Sequence, residues 1–156
     1  MQRINLDQID KRLLGRLQHD ASETMNDLAD AVALSPTACW RRIQRLKDGD
    51  ILLRRVHLLS QEALGLSLTG FVMLKTNNHS EAWLERFSKE IAALPAVVEF
   101  HRMTGEIDYL LKIVAPDLSA YNQIYRAIIR VADLTDVSAT FSMEQLKFTT
   151  ELPLDF

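Results

Sequence analysis

Thr37, Arg41, Gln44 and Arg45 are spaced so that a helix would bring them to one face, with Trp40 and Lys47 at its margin. Arginine forks onto guanine, glutamine onto adenine, and the threonine methyl fits against thymine. Ser35 and Thr37 stand where the helix would begin, and hydroxyls and free amides at a helix start bond phosphate oxygens. With Arg42, which follows Arg41 directly, these eight residues form the candidate nucleic-acid set. The plainer alternative is a solvated bundle helix whose charges only keep that face in water. Trp40 favours binding, because it lies off the apolar stripe Cys39, Ile43 and Leu46 and needs some other use.

Catalytic chemistry finds little support. The four histidines, at positions 19, 57, 79 and 101, fall in four different elements. Glu99 and His101 share one side of a strand, and Glu106 and Asp108 lie near the next turn. No third histidine or cysteine stands at ligand spacing, and neither a glycine-rich phosphate loop nor a serine elbow is present. We therefore expect no enzyme, no metal and no cofactor. A small ferredoxin-like enzyme using Glu99, His101 and Asp108 would have to show turnover or bound metal. Cys39 is the sole cysteine and reads as a small buried hydrophobe rather than a sensing thiol.

The elements that must position these groups follow from periodicity and capping. Leu6, Ile9, Leu13, Leu14 and Leu17 make one helical face behind an Asp7 cap. Thr24 caps a short second helix with Met25, Leu28, Ala29 and Val32 on its apolar side. Ser35-Pro36 opens a third, and Gly49 is placed to end it. Residues 51–60 read as a connector holding one strand. Leu68 to Thr76, Val97 to Met103, Ile107 to Val114 and Val137 to Met143 read as strands, the last three with alternating or mixed faces. Helices opened by Ser80 and by Asp117 or Ser119 fall between them; the second uses Leu118, Tyr121, Ile124, Tyr125, Ile128 and Ala132. The order is β-α-β-β-α-β, the ferredoxin-like arrangement. The expected fold is thus α+β: a winged-type helix-turn-helix of three helices over 1–60, then a ferredoxin-like domain over 61–156. One sheet face would be left open, which invites a second copy and a homodimer.

Composition bounds the rest. The 156 residues suit two small domains, and one cysteine excludes a disulfide framework and points to a reducing cytosol. The longest uncharged stretch, Ala63 to Leu74, is twelve residues, where a membrane helix needs roughly 20. Asp7 and Asp10 interrupt the start before a secretory signal can develop. The net charge of −3 argues against nucleic acid only as an average. Residues 1–60 hold ten basic and eight acidic side chains, whereas 61–156 hold eight and thirteen. Charge is divided between the parts, as in chains with one nucleic-acid-facing region.

Three stretches, LDQIDKRLLGRLQHD, LSPTACWRRIQRLKDGDIL and HRMTGEIDYLLKIVAPDLSAY, resemble the Lrp/AsnC family of feast/famine transcription regulators. The resemblance runs from Leu6 to the closing ELPL. It implies a DNA-binding regulator, cytoplasmic and nucleoid-associated, whose effector domain dimerises and whose dimers assemble into octamers or hexadecamers. It places an effector, usually an amino acid, at Thr104, Gly105, Glu106, Asp108 and Tyr109, with Thr140 and Met143 on the last strand. Glu106 stands where many members have aspartate, and the CWRR helix and TTELPL tail are closest to a cysteine-responsive subgroup. Physically, turn amides can receive a carboxylate, and Glu106 or Asp108 can pair with an ammonium. Two alternatives stay open: a plain hairpin in which Asp108 caps turn amides, and an ACT-like amino-acid-binding module with no DNA role.

Overall fold

The computed structural model describes residues 5–131 and 133–155. The chain divides into two units, one formed by the residues up to His57 with the tail from Lys147, the other by Leu58–Leu146.

In the first unit, three helices form where capping chemistry allows. Helix α1 (Gln8–His19) starts at Asp7, whose carboxylate accepts the Asp10 amide at 2.8 Å while Asp10 returns a bond to the Asp7 amide at 3.1 Å. Such reciprocal capping satisfies two of the amides that a helix start leaves unbonded. Helix α2 (Met25–Ala31) repeats the device with Thr24 and Asp27. Helix α3 (Pro36–Asp48) begins at Ser35, whose hydroxyl accepts the Ala38 amide at 3.3 Å, with proline in the first turn.

The α2–α3 turn depends on Ala33, held at φ 54°, so that the Leu34 amide reaches back to the Ala29 carbonyl at 2.9 Å. At the far end of α3, Gly49 is the C-cap with an ordinary negative φ, and the left-handed residue is Asp50 at φ 57°. Leu13, Leu28, Ala29, Val32, Cys39 and Ile43 form the core of this unit. Burial raises the Cys39 thiol pKa, which keeps it protonated and inert.

No strand forms among the described residues of this unit, so the expected linker strand over 51–60 and any β-wing are absent. A strand needs a ladder partner, and the extended residues 53–59 find none among the described residues. The tail is better anchored. Gln18 donates its side-chain amide to the Leu152 carbonyl at 2.9 Å and accepts the Leu152 amide at 3.0 Å, while His19 meets Glu151 at 2.8 Å.

The second unit is a four-stranded antiparallel sheet in the order β2-β3-β1-β4, with two helices on one face. Its strands are β1 (Leu68–Lys75), β2 (Val97–Arg102), β3 (Tyr109–Ala115) and β4 (Asp136–Phe141); its helices are α4 (Glu81–Ala92) and α5 (Leu118–Val131). Strand β3 starts two residues later than periodicity suggests, because Ile107 belongs to the preceding turn. Asp117, not Ser119, caps α5, accepting the Ala120 amide at 2.8 Å. Ala132, expected on the apolar side of that helix, lies outside the described residues.

Val72, Leu74, Tyr109, Leu111 and Ile113 meet Trp83, Phe87, Ile91, Tyr121 and Ile128 in the core. Trp83 and Phe87 stack with centroids 4.7 Å apart, and Phe100 stands edge-on to Phe87 at 5.7 Å. Among the described residues, the Trp83 indole N–H is the one buried side-chain donor with no partner, its ring orientation being fixed by this stack. The opposite sheet face carries Phe71, Met73, Leu110 and Val114, all half-buried, with Lys112 bonded to Glu99 at 2.8 Å.

Candidate functional site

Two places hold the residues that the sequence singles out. The first is the outer face of α3. Its inner stripe, Cys39, Ile43 and Leu46, is fully or nearly fully buried, which fixes the rotation of the helix about its axis. Thr37, Trp40, Arg41 and Lys47 are consequently exposed, and Gln44 is half-exposed. Trp40 keeps 51% of its surface in solvent, far above what a core tryptophan would show. Among the described residues, neither Arg41 nor Lys47 takes part in a salt bridge.

Arg42 and Arg45 are placed differently. Arg42 donates Nη1 to Asp7 at 2.6 Å and to Asp10 at 2.9 Å, and Arg45 donates Nη2 to the other oxygen of Asp10. Asp10 is completely buried, whereas the Arg42 and Arg45 side chains are 27% and 48% exposed. Arg42, one of the eight candidate DNA contacts, ties α3 to α1, because two carboxylates compete successfully with water for its guanidinium. These partners hold the Arg42 pKa above its ordinary value, first through the Asp7 bond and then the Asp10 bond. Asp7 is shifted down, chiefly by the Asp10 amide and then by Arg42. Arg45 is shared: one edge is held by Asp10 and roughly half of the side chain still meets solvent. Ser35 accepts at the helix cap, which leaves its hydroxyl hydrogen to donate outward.

The second place is the turn between β2 and β3. Gly105 adopts φ +111°, a conformation that side-chain-bearing residues rarely reach. Thr104 and Glu106 flank it, both exposed. Asp108 closes the turn: its carbonyl accepts the Met103 amide at 2.8 Å, its amide donates to Leu74 at 2.9 Å, and its carboxylate accepts the Thr76 amide at 2.8 Å. Asp108 therefore works first as a brace between this turn and the end of β1, matching the capping alternative for one of its oxygens.

Tyr109 turns into the sheet core. It is 3% exposed, with its ring 5.0 Å from Phe87 and 6.2 Å from Trp83. Burial raises its phenol pKa. The alternation Tyr109, Leu111, Ile113 was the available signal that this position points inward.

Thr140 and Met143 do not join the turn within one chain. Tyr109 is opposite Leu74 on β1, while Thr140 is opposite Phe71, three residues or roughly 10 Å further along and on the other edge of the sheet. Met143 lies beyond β4 and is entirely exposed.

Sequence reasoning missed Asp10. Its signal was an acid on the apolar face of the first helix, between Leu6 and Leu13, with arginines bordering the apolar stripe of the third.

Known proteins carry the same two-part plan. Residues 6–47 match the AsnC-type helix-turn-helix domain, and residues 69–152 match the Lrp/AsnC ligand binding domain. The chain belongs to the Lrp/AsnC family. It is 44% identical over 151 residues to the DNA-binding transcriptional activator DecR of Escherichia coli, covering 96% of this chain and 99% of that one. It is likewise 44% identical to the glutamate uptake regulatory protein of Zymomonas mobilis, over 96% of this chain and 91% of that one.

Among solved structures, an AsnC family regulator from Agrobacterium tumefaciens superposes with a TM-score of 0.93 at 46% identity, covering 96% of this chain and 98% of that one. A Neisseria meningitidis regulator in complex with L-Met superposes with a TM-score of 0.91 at 31% identity, over 97% of this chain and 98% of that one. This Lrp/AsnC protein is accordingly a DNA-binding transcriptional regulator and not an enzyme. The ACT-like alternative without a DNA role is set aside by the helix-turn-helix match. Among the described residues, no helix is long and apolar enough to cross a membrane.

Proposed function

We propose that this regulator reads DNA with the exposed face of α3 and answers to an amino acid bound at the β2–β3 turn. The observation that carries the first part is the rotation of α3: its buried stripe leaves Thr37, Trp40, Arg41 and Lys47 outward, with Gln44 and the free edge of Arg45 beside them. Residues 1–60 would be the reading part and 61–156 the effector and assembly part. Dimerisation is assigned to the open sheet face, where Phe71, Met73, Leu110 and Val114 are apolar and uncovered by either helix. A dimer would offer two reading helices to half-sites about 34 Å apart, one helical turn of DNA. Further pairing of dimers into octamers or hexadecamers would allow DNA to bend around the particle, and would set the protein among nucleoid-associated cytoplasmic proteins.

At the turn, the amides of Thr104 to Glu106 suit a ligand carboxylate, and Glu106, free of intramolecular ion pairs among the described residues, suits the ammonium. Thr140 and Met143 would contribute only from a second copy. A sulfur-containing amino acid is the effector class we favour, cysteine first. The resemblance of the helix and tail motifs supports this, as does the L-Met complex of the Neisseria regulator. An effector changes DNA binding only as far as it binds one assembly state better than another.

Genomic footprinting with and without a panel of amino acids tests both parts together. The expected result is a set of discrete protected sites whose occupancy changes with one or a few amino acids. Calorimetric titration with Glu106→Gln should lower affinity for the responsive amino acid by roughly tenfold or more, the value of one charge-assisted bond. Unchanged affinity would move the site elsewhere.

A further inference from the structure

We propose that Asp10 is a positioning residue for DNA recognition, holding the inner edge of Arg45 so that the outer edge is presented from α3 in one orientation. The proposal rests on the reading of α3 as the helix that meets DNA. Asp10 sits in the first turn of α1, has no exposed surface, and binds guanidinium groups 32 and 35 residues away in the chain. Each of its oxygens is used: Oδ1 takes Arg42, and Oδ2 takes Arg45 together with the Asp7 amide.

Burial of a carboxylate is tolerable only with such pairing. The pairing has a geometric consequence. A guanidinium is a rigid planar fork with five N–H donors, so fixing one nitrogen by a buried acceptor restricts where the others point. An arginine on an exposed helix face otherwise surveys many rotamers and loses that freedom on binding. Arg45 has one nitrogen held and 48% of its side chain in solvent, the arrangement of a group prepared for a second acceptor. Arg41, on the same face with no salt bridge among the described residues, has no such restraint.

Charge points the same way. Asp7 and Asp10 balance Arg42 and Arg45. The unbalanced cations of α3 are therefore Arg41 and Lys47, which supply general attraction to phosphate. Arg45 is left to contribute by geometry, that is, by discriminating among sequences.

The test compares two duplexes: one selected from a random library by the wild-type protein, and one of scrambled sequence. Their Kd ratio is measured for wild type, Asp10→Asn, Asp7→Asn, Arg45→Ala and the double variant Asp10→Asn/Arg45→Ala. Asp10→Asn should lower the ratio by roughly fivefold or more, the lower range for losing one base-reading pair, with scrambled-duplex affinity unchanged or higher. Asp7→Asn, which touches Arg42 but not Arg45, should leave the ratio unchanged. In the double variant Asp10→Asn should add nothing to Arg45→Ala, because coupled residues are not additive. A merely structural role would reduce the folded fraction and weaken both duplexes in parallel; a ratio held within fivefold, or an additive double variant, overturns the proposal. Should Asp10→Asn be unfolded at the assay temperature, Arg45→Lys decides, since an ammonium reaches one acceptor or the other but cannot bridge them. A fall in the ratio supports the proposal and an unchanged ratio overturns it. If wild type itself discriminates no sequence, the reading of α3 has failed instead.

Discussion

The two units keep their shape by different physics. The sheet unit is held by a layer of aromatic rings: Trp83, Phe87, Phe100 and Tyr109 lie with neighbouring centroids between 4.7 and 6.2 Å. The helical unit has a small aliphatic core and fastens α3 to α1 with a buried carboxylate and two arginines. Ring packing is broad and less directional, and it fills the layer between the sheet and its two helices. Charged forks are directional, and they fix how α3 lies against α1. Polar groups follow this division: the sheet core encloses an unpartnered indole N–H, whereas every oxygen of buried Asp10 is bonded.

The sharpest way to break the comparison is to remove a ring. Phe87→Ala should destabilise the sheet unit by roughly 3–5 kcal/mol, since the side chain is fully buried and the cavity cannot close among rigid rings. Calorimetry should then separate the two units into two transitions. Asp10→Ala should cost less, about 1–3 kcal/mol, because Arg42 and Arg45 are partly exposed and can turn to water; chemical denaturation followed by far-ultraviolet circular dichroism measures it. Arg41→Ala should leave stability within about 0.5 kcal/mol yet weaken all duplexes alike and flatten the salt dependence of binding, visible by fluorescence anisotropy. A loss confined to the selected duplex would assign Arg41 to a base instead. Ala33→Gly should stabilise the helical unit by about 0.5–1 kcal/mol, relieving a left-handed alanine at some entropic cost.

The smallest expected effect separates the units by pH. His19 is shifted up by its bond to Glu151, so the tail contact contributes fully below the ordinary histidine value of 6.5 and is lost as pH rises through the elevated one. Glu99 is shifted down, first by Lys112 and then by His101, so its pairing contributes above 4.5 and is lost as pH falls through the lowered value. The protection factor of the Leu152 amide, its exchange corrected for the intrinsic base-catalysed rate, should therefore fall on the alkaline side, while NMR of the Lys112 ammonium should show loosening only in acid. Parallel behaviour of both would contradict the pairings.

Much of this was legible in the sequence because its causes are local. Asp7, Thr24, Ser35 and Asp117 each cap the helix that they precede. The alternation of β3 and β4 assigns their faces, and alternation alone would have placed Tyr109 in the core. What stayed hidden depends on partners distant in the chain. Arg42 and Arg45 look like free cations until Asp10 is brought beside them. The brace that Asp108 forms stays hidden until the end of β1 supplies the Thr76 amide to one of its oxygens. Residues 51–60 have strand-like composition but, among the described residues, no neighbour to complete a ladder. The tail has no periodicity, and its clamp on Gln18 joins residues 134 apart.

That clamp gives the molecule a chronology. The three helices leave the ribosome ahead of the sheet unit, yet the end of α1 waits for Leu152 until that whole unit has been synthesised. At about 5–20 residues per second the interval is on the order of ten seconds. During it the nascent chain carries the three helices without this stitch, and its closure requires that the sheet unit has already been made.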